Sequence, residues 1–190
     1  MELLIIGLLL FLGVHSVAIL APRWRARMVE RLGERPWKGI YSLISAAGFV
    51  LLIIGYSHAR AAASVLYVPP HPLRYVSFIL LLPVFPLLLA AYLPGTIQRR
   101  ARHPMLVAVK LWATAHLLAI GTVPDVLLFG SLLLWAIADR ISVKRRAPRP
   151  HPQIPVRHAD LIAVIAGLAL YVLFLIKLHA LLIGVAPLAG

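Results

Sequence analysis

Six long apolar runs divide the chain and leave little room for anything else. They cover residues 3–21, 39–57, 75–93, 105–122, 123–141 and 161–185. The first three contain no Asp, Glu, Lys or Arg, and roughly 20 such residues in a helix cross the hydrocarbon core of a bilayer. Since 62% of the 190 residues are hydrophobic and only 13% are charged, we expect an all-α polytopic membrane protein. The prediction is a bundle of six transmembrane helices that forms a single domain over residues 1–190.

The fifth run is the weakest of the six. Only residues 126–138 within it are free of charge, and such a short helix reaches about 20 Å of a ~30 Å hydrocarbon core. The cations nevertheless favour six spans, because 15 of the 17 Lys and Arg residues placed outside the spans follow runs one, three and five. The positive-inside rule assigns that side to the cytoplasm. We therefore expect a retained first helix and both termini on the non-cytoplasmic side.

The excess of positive charge raises the question of whether the chain binds nucleic acid or anionic lipid. The formal net charge is +13, but the arginines lie in short loops beside helix ends, where membrane topology and anionic lipid account for them. The lipid bilayer is therefore the expected partner, and nucleic acid is not. The chain has no cysteine, which excludes disulfides, iron–sulfur clusters and thiolate-bound haem.

Prolines mark where helices begin and bend. Pro104 and Pro124 are expected in the first turns of helices four and five, with His103 capping helix four. Pro83 and Pro86 lie inside run three and should kink it. Residues 145–157 are expected to form an irregular, basic cytoplasmic connection.

Four ionisable side chains are placed at membrane depth, where such groups are costly and are candidates for function. They are His15, Lys110, His116 and Lys177. Both lysines can carry the ammonium group to the interface on a long aliphatic stem, so the histidines are the stronger candidates.

His15 and His116 on separate helices admit two interpretations. They could ligate a haem iron between helices one and four, because imidazole is a common haem ligand inside bundles. They could instead hydrogen-bond between helices. Small neighbours suit a flat macrocycle but also close helix packing; they are Gly13, Ser16, Ala113, Ala115 and Ala119.

The motifs around these histidines resemble one family. Arg102-His103-Pro104-Met105 followed by Leu111-Trp112 through His116 to Gly121 resembles the RHP…LWxxxHxxxxG signature of the NnrU-like membrane proteins. The segment from Phe11 to Ser16 resembles the His-Ser near their first helix. The family includes bacterial proteins linked to nitrite and nitric oxide reduction, and the 15-cis-zeta-carotene isomerase of plants and cyanobacteria.

The resemblance implies a b-type haem held by His15 and His116 in the bacterial inner (cytoplasmic) membrane. It also implies a role in nitric oxide or nitrite metabolism, or a haem-dependent, redox-neutral isomerisation. The isomerase branch carries a cysteine, proposed as an alternative ligand, at the position of Ala113. A thiolate ligand is therefore excluded in this chain.

Two other classes remain open at this point. One is a haem-free accessory or assembly protein for nitrogen-oxide respiration that contacts other membrane proteins. The other is a small proton-coupled transporter that uses Lys177 and the histidines as a relay, although no carboxylate within a helix is expected to pair with them.

Overall fold

A computed structural model describes residues 1–145 and 158–188 of the chain. The predicted all-α class is confirmed: 82% of the structure is helical, and no β-strand forms within these two ranges. The predicted basic connection over residues 145–157 lies, apart from its first residue, outside the described residues.

The described helices follow the predicted runs closely. They are α1 (Glu2–Leu20), α2 (Pro22–Leu32), α3 (Glu34–Ala61), α4 (Pro72–Leu81), α5 (Val84–Ala90), α6 (Thr96–Ala101), α7 (Pro104–Ala119), α8 (Val123–Lys144), α9 (Ala159–Leu173), a π-helical turn (Phe174–Leu178) and α10 (His179–Ile183). Run three divides into α4 and α5 at Pro83, as expected, because proline lacks the amide proton that a continuous helix needs. Pro104 and Pro124 lie in first turns.

Five segments of the described chain are long and apolar enough to cross a membrane. They are Glu2–Leu20, Glu34–Ala61, Pro72–Ala90, Val123–Lys144 and Ala159–Ile183. Run five, the weakest in the sequence, forms the 22-residue helix α8. Run four instead forms the 16-residue helix α7, which reaches about 24 Å. The chain is a membrane protein, and the count of six spans stays a prediction.

Two of the predicted loops contain helices. The connection between α1 and α3 forms α2, which carries four arginines and has no buried residue. The connection between α5 and α7 contains the short helix α6. Hydrophobic runs do not reveal such helices, because their sequences are too polar to be read as spans.

The helices group into two compact units, Met1–Val68 with Gly121–Val143, and Pro69–Ile120 with the chain from Lys144 onward. In the first unit α1 packs along α3. Leu4, Leu8, Leu52 and Ala59 form its buried centre. In the second unit α5 packs against α7 and α9, and the Tyr171 hydroxyl donates to the Phe78 carbonyl at 3.0 Å.

Glycines allow α1 and α3 to approach closely. A methyl group added at Gly7 would lie 2.6 Å from the backbone nitrogen of Leu52, and one at Gly48 would lie 2.7 Å from that of Phe11. At Gly55 the added carbon would overlap the backbone of α1. Small residues drive association in lipid in this way, because backbone atoms of neighbouring helices come into van der Waals contact.

We predict that Gly55→Ala lowers the free energy of unfolding by about 2 kcal/mol, because the new methyl group must push α1 and α3 apart. Gly13 is the matched control, since an added methyl group meets nothing within 4 Å there. Gly13→Ala should change stability by less than about 1 kcal/mol. Unfolding of the purified protein in mixed micelles measures both, and equal effects would contradict the packing argument.

Candidate functional site

His15 lies in the last two turns of α1 and is half-buried. Its Nδ1 lies 2.7 Å from the carbonyl oxygen of Phe11, four residues earlier in the same helix. A carbonyl oxygen only accepts, so Nδ1 must carry the proton in this hydrogen bond. The lone pair of the neutral ring is therefore on Nε2, the atom through which an imidazole so anchored would bind a metal or accept a proton.

Aromatic rings from three helices of the first unit surround His15. Its ring centroid lies 4.3 Å from that of Phe11 in α1, 5.4 Å from Tyr41 in α3 and 5.7 Å from Trp135 in α8. The Trp135 indole Nε1 is buried and meets no acceptor in the part of the chain that the structure describes. Tyr41 and Trp135 were missed by sequence reasoning, because no local motif links them to α1.

The small residues beside His15 border a different space. Gly13 and Ser16 line an open, mostly apolar groove of about 310 Å³ along α1, together with Leu12, Leu127 and Ser131 among others. His15 does not line this groove. Residues 13 and 16 lie on another face of α1 than residue 15, so the space that these small residues leave lies along this groove.

His116 repeats the local arrangement of His15 in α7 of the second unit. Its Nδ1 lies 2.8 Å from the carbonyl oxygen of Trp112, again four residues earlier, and the two ring centroids are 5.0 Å apart. The same argument places the proton on Nδ1 and the lone pair on Nε2. Ala113 and Ala115 beside it are fully buried, so these small residues serve helix packing.

The other candidates from the sequence have clear positions. His103 is the residue that precedes α7, as expected, but its side chain makes no capping hydrogen bond. Its carbonyl oxygen accepts from the amide of Leu106, so His103 occupies the predicted N-cap position and contributes its backbone rather than its imidazole. Lys110 is half-buried in α7, and Lys177 is exposed within the π-helical turn.

A buried carboxylate was not anticipated. Asp125 in the first turn of α8 is 1% exposed and accepts a hydrogen bond from the Tyr56 hydroxyl at 2.5 Å. The amide of Thr122 donates to it at 3.2 Å, and the Thr122 hydroxyl bonds to it as well. This is the pattern of a helix N-cap closed by an acidic side chain three residues on. Asp125 therefore joins α8 to α3 and has a structural role.

A model of the family described as NnrU protein matches residues 3–187. The chain belongs to the NnrU family. No curated protein and no solved structure matches it. Family membership thus spans both units of the structure and includes both histidines.

Within the described ranges of this NnrU protein, no three or more His, Asp or Glu side chains gather as a group that could hold a metal ion. Metal chemistry that rests on one imidazole per helix needs no such group, because haem iron receives four ligands from its porphyrin and at most two from protein. What matters for such a site is which nitrogen of each imidazole is free of a proton and can bind a metal.

We predict that Nδ1 and not Nε2 carries the proton in the neutral rings of His15 and His116, because each Nδ1 donates to a carbonyl oxygen. Two-dimensional ¹⁵N–¹H spectra of histidine-labelled protein in detergent report the tautomer through the coupling pattern of the ring nitrogens. His15→Gln and His116→Gln assign the signals, and the exposed His58 serves as a control. A signal from the tautomer protonated on Nε2 at either position would contradict the geometry.

Tyr56→Phe should lower the free energy of unfolding by about 1–3 kcal/mol, because it removes a donor from the buried Asp125 carboxylate. Tyr92 is 76% exposed, so Tyr92→Phe is the matched control and should have almost no effect. Unfolding in mixed micelles distinguishes them. Equal stability of the two variants would refute a structural role for the Tyr56–Asp125 bond.

Proposed function

We propose that this NnrU protein binds haem b in the membrane, with His15 and His116 each supplying an imidazole ligand. The observation that best supports the proposal is the hydrogen bond that both imidazoles make within their own helices. Each ring is held by a hydrogen bond from Nδ1 to the carbonyl oxygen four residues earlier, at 2.7 and 2.8 Å. Each therefore presents Nε2 as its basic nitrogen.

The donor set fits haem iron. Histidines that ligate metals usually donate the other ring N–H to a carbonyl or carboxylate, which fixes the tautomer and the ring orientation and raises the basicity of the ligand. The chain has no cysteine, so imidazole is the strongest iron ligand that these motifs provide. Bound haem would supply one-electron redox chemistry and the binding of small ligands such as nitric oxide.

The residues around His15 contribute in two ways. The rings of Phe11, Tyr41 and Trp135 pack around the imidazole and restrict its motion. The buried Trp135 N–H is a donor that needs an acceptor, and a polar group of a bound ligand or an ordered water would satisfy it. These features favour a site that holds a ligand in a fixed orientation.

The proposed setting is the bacterial inner membrane, with both termini on the non-cytoplasmic side. The positive-inside distribution of the cations supports this orientation. The proposed role is in nitric oxide or nitrite metabolism or in a redox-neutral isomerisation, and it rests on the family resemblance.

Protein purified in detergent from haem-replete cells should show a Soret band that shifts on reduction. His15→Ala and His116→Ala should each weaken haem binding by about tenfold or more, because each removes an iron ligand. His58→Ala should leave the band unchanged, since His58 belongs to neither motif. Haem titration followed by absorbance measures all four proteins.

Two further results test the proposal where an alanine variant fails to fold. In His15→Gly and His116→Gly, added imidazole should restore the Soret band, since it replaces the lost ligand from solution. A folded wild-type protein that stays colourless after titration with haem would overturn the proposal and would favour a haem-free accessory role.

A further inference from the structure

The helix between the first two spans carries a cleft with two arginines. Helix α2 follows α1 after Ala21 and ends at Leu32, before Gly33, whose φ of +85° favours glycine. Eleven helical residues reach about 16 Å, too short to cross a bilayer. Because α1 and α3 are long enough to span and pack together, both ends of α2 meet the membrane at the same face.

One side of α2 forms this cleft. Trp24, Arg27, Met28 and Arg31 enclose about 120 Å³, and their spacing of three, four and seven residues places them on one face of the helix. The Trp24 ring also meets Trp37 of α3, with centroids 5.7 Å apart and planes at 72°. The cleft is thus braced against a spanning helix.

The two arginines of the cleft have no ion-pair partner in the described part of the chain. Residues 22–38 contain six Lys or Arg side chains and two glutamates. Glu34 pairs with Lys38 at 2.7 Å, whereas neither Arg27 nor Arg31 forms an ion pair with any residue that the structure describes. Two guanidinium groups beside one small cleft suit a phosphate, because each offers paired N–H donors in a planar fork.

We propose that this cleft binds the phosphate of an anionic phospholipid. The position of α2 at the membrane face brings headgroups to it without a search through solution. Trp24 is typical of the membrane–water interface, and Met28 offers apolar surface beside the arginines. Arg27 and Arg31 would hold the phosphate while Trp24 lies against the glycerol region.

Lipid titration of the purified protein by native mass spectrometry tests this proposal. Phosphatidylglycerol should bind more tightly than phosphatidylcholine. Arg27→Gln/Arg31→Gln should weaken the binding of phosphatidylglycerol on the order of a hundredfold, since it removes both the general attraction of two cations and the direct bonds of two guanidinium groups to the phosphate. Arg23→Gln/Arg35→Gln is the matched control, because it removes the same charge from the same segment outside the cleft, and its loss should be several-fold smaller since only the general attraction is reduced.

Three results would overturn the proposal. Equal losses in the two double variants would mean that only the general charge of the segment attracts lipid. Equal binding of phosphatidylcholine would remove the selectivity. Displacement of the lipid by millimolar inorganic phosphate would identify the cleft as a site for free phosphate. If Arg27→Gln/Arg31→Gln fails to fold, the single variants Arg27→Gln and Arg31→Gln should each weaken binding at least about fivefold. An unchanged affinity in both single variants would refute the proposal.

Discussion

A polar group inside a bilayer finds no water, so it must find its partner within the protein. This constraint accounts for the helical backbone of every predicted span that the structure describes. It also accounts for the two histidines, whose Nδ1 atoms bond to carbonyl oxygens of their own helices. The buried carboxylate of Asp125 obeys the same constraint through Tyr56 and Thr122. The two histidines are thus held by local bonds, whereas Asp125 also needs a partner from a distant part of the chain.

Close packing without large side chains is the second organising feature. Gly7, Gly48 and Gly55 let α1 and α3 touch backbone to backbone. In the second unit Gly167 of α9 lies against Pro86 in the same way, and the Asp160 carboxylate accepts from the amides of Thr96 and Ile97 at 2.8 and 2.9 Å. Small residues and a few anchored polar groups therefore replace the large aliphatic core of a soluble protein.

The two proposals assign different chemistry to different parts of the chain. The histidine proposal uses neutral imidazoles at membrane depth, where the apolar surroundings favour an uncharged ligand. The lipid proposal uses guanidinium groups at the membrane face, where water and headgroups solvate the charge and its desolvation penalty is small. Each group thus lies where its charge state is stable.

Much of the fold could be predicted from the sequence, because the membrane leaves few choices for long apolar runs. The helix start at Pro104, the break at Pro83 and the candidate ligands His15 and His116 all follow from local rules. The strength of run five was not predicted, because Asp125 is bonded to Tyr56 and Thr122 within the first turn of α8 and the helix continues past Asp139 to Lys144. Helix α2 was not predicted, because a short segment with four arginines lacks the apolar run by which the other helices were recognised.

Hydropathy and short motifs are local properties, so they were enough to predict the class of protein, the family and the residues worth testing. The rings that surround His15, the burial of Asp125 against Tyr56 and the groove beside Gly13 and Ser16 could not be predicted in this way. These facts depend on which side of one helix meets another. The side of a helix that meets its neighbour is set by contacts between residues distant in the chain, such as Gly7 and Leu52. The sequence of a single segment does not show these contacts.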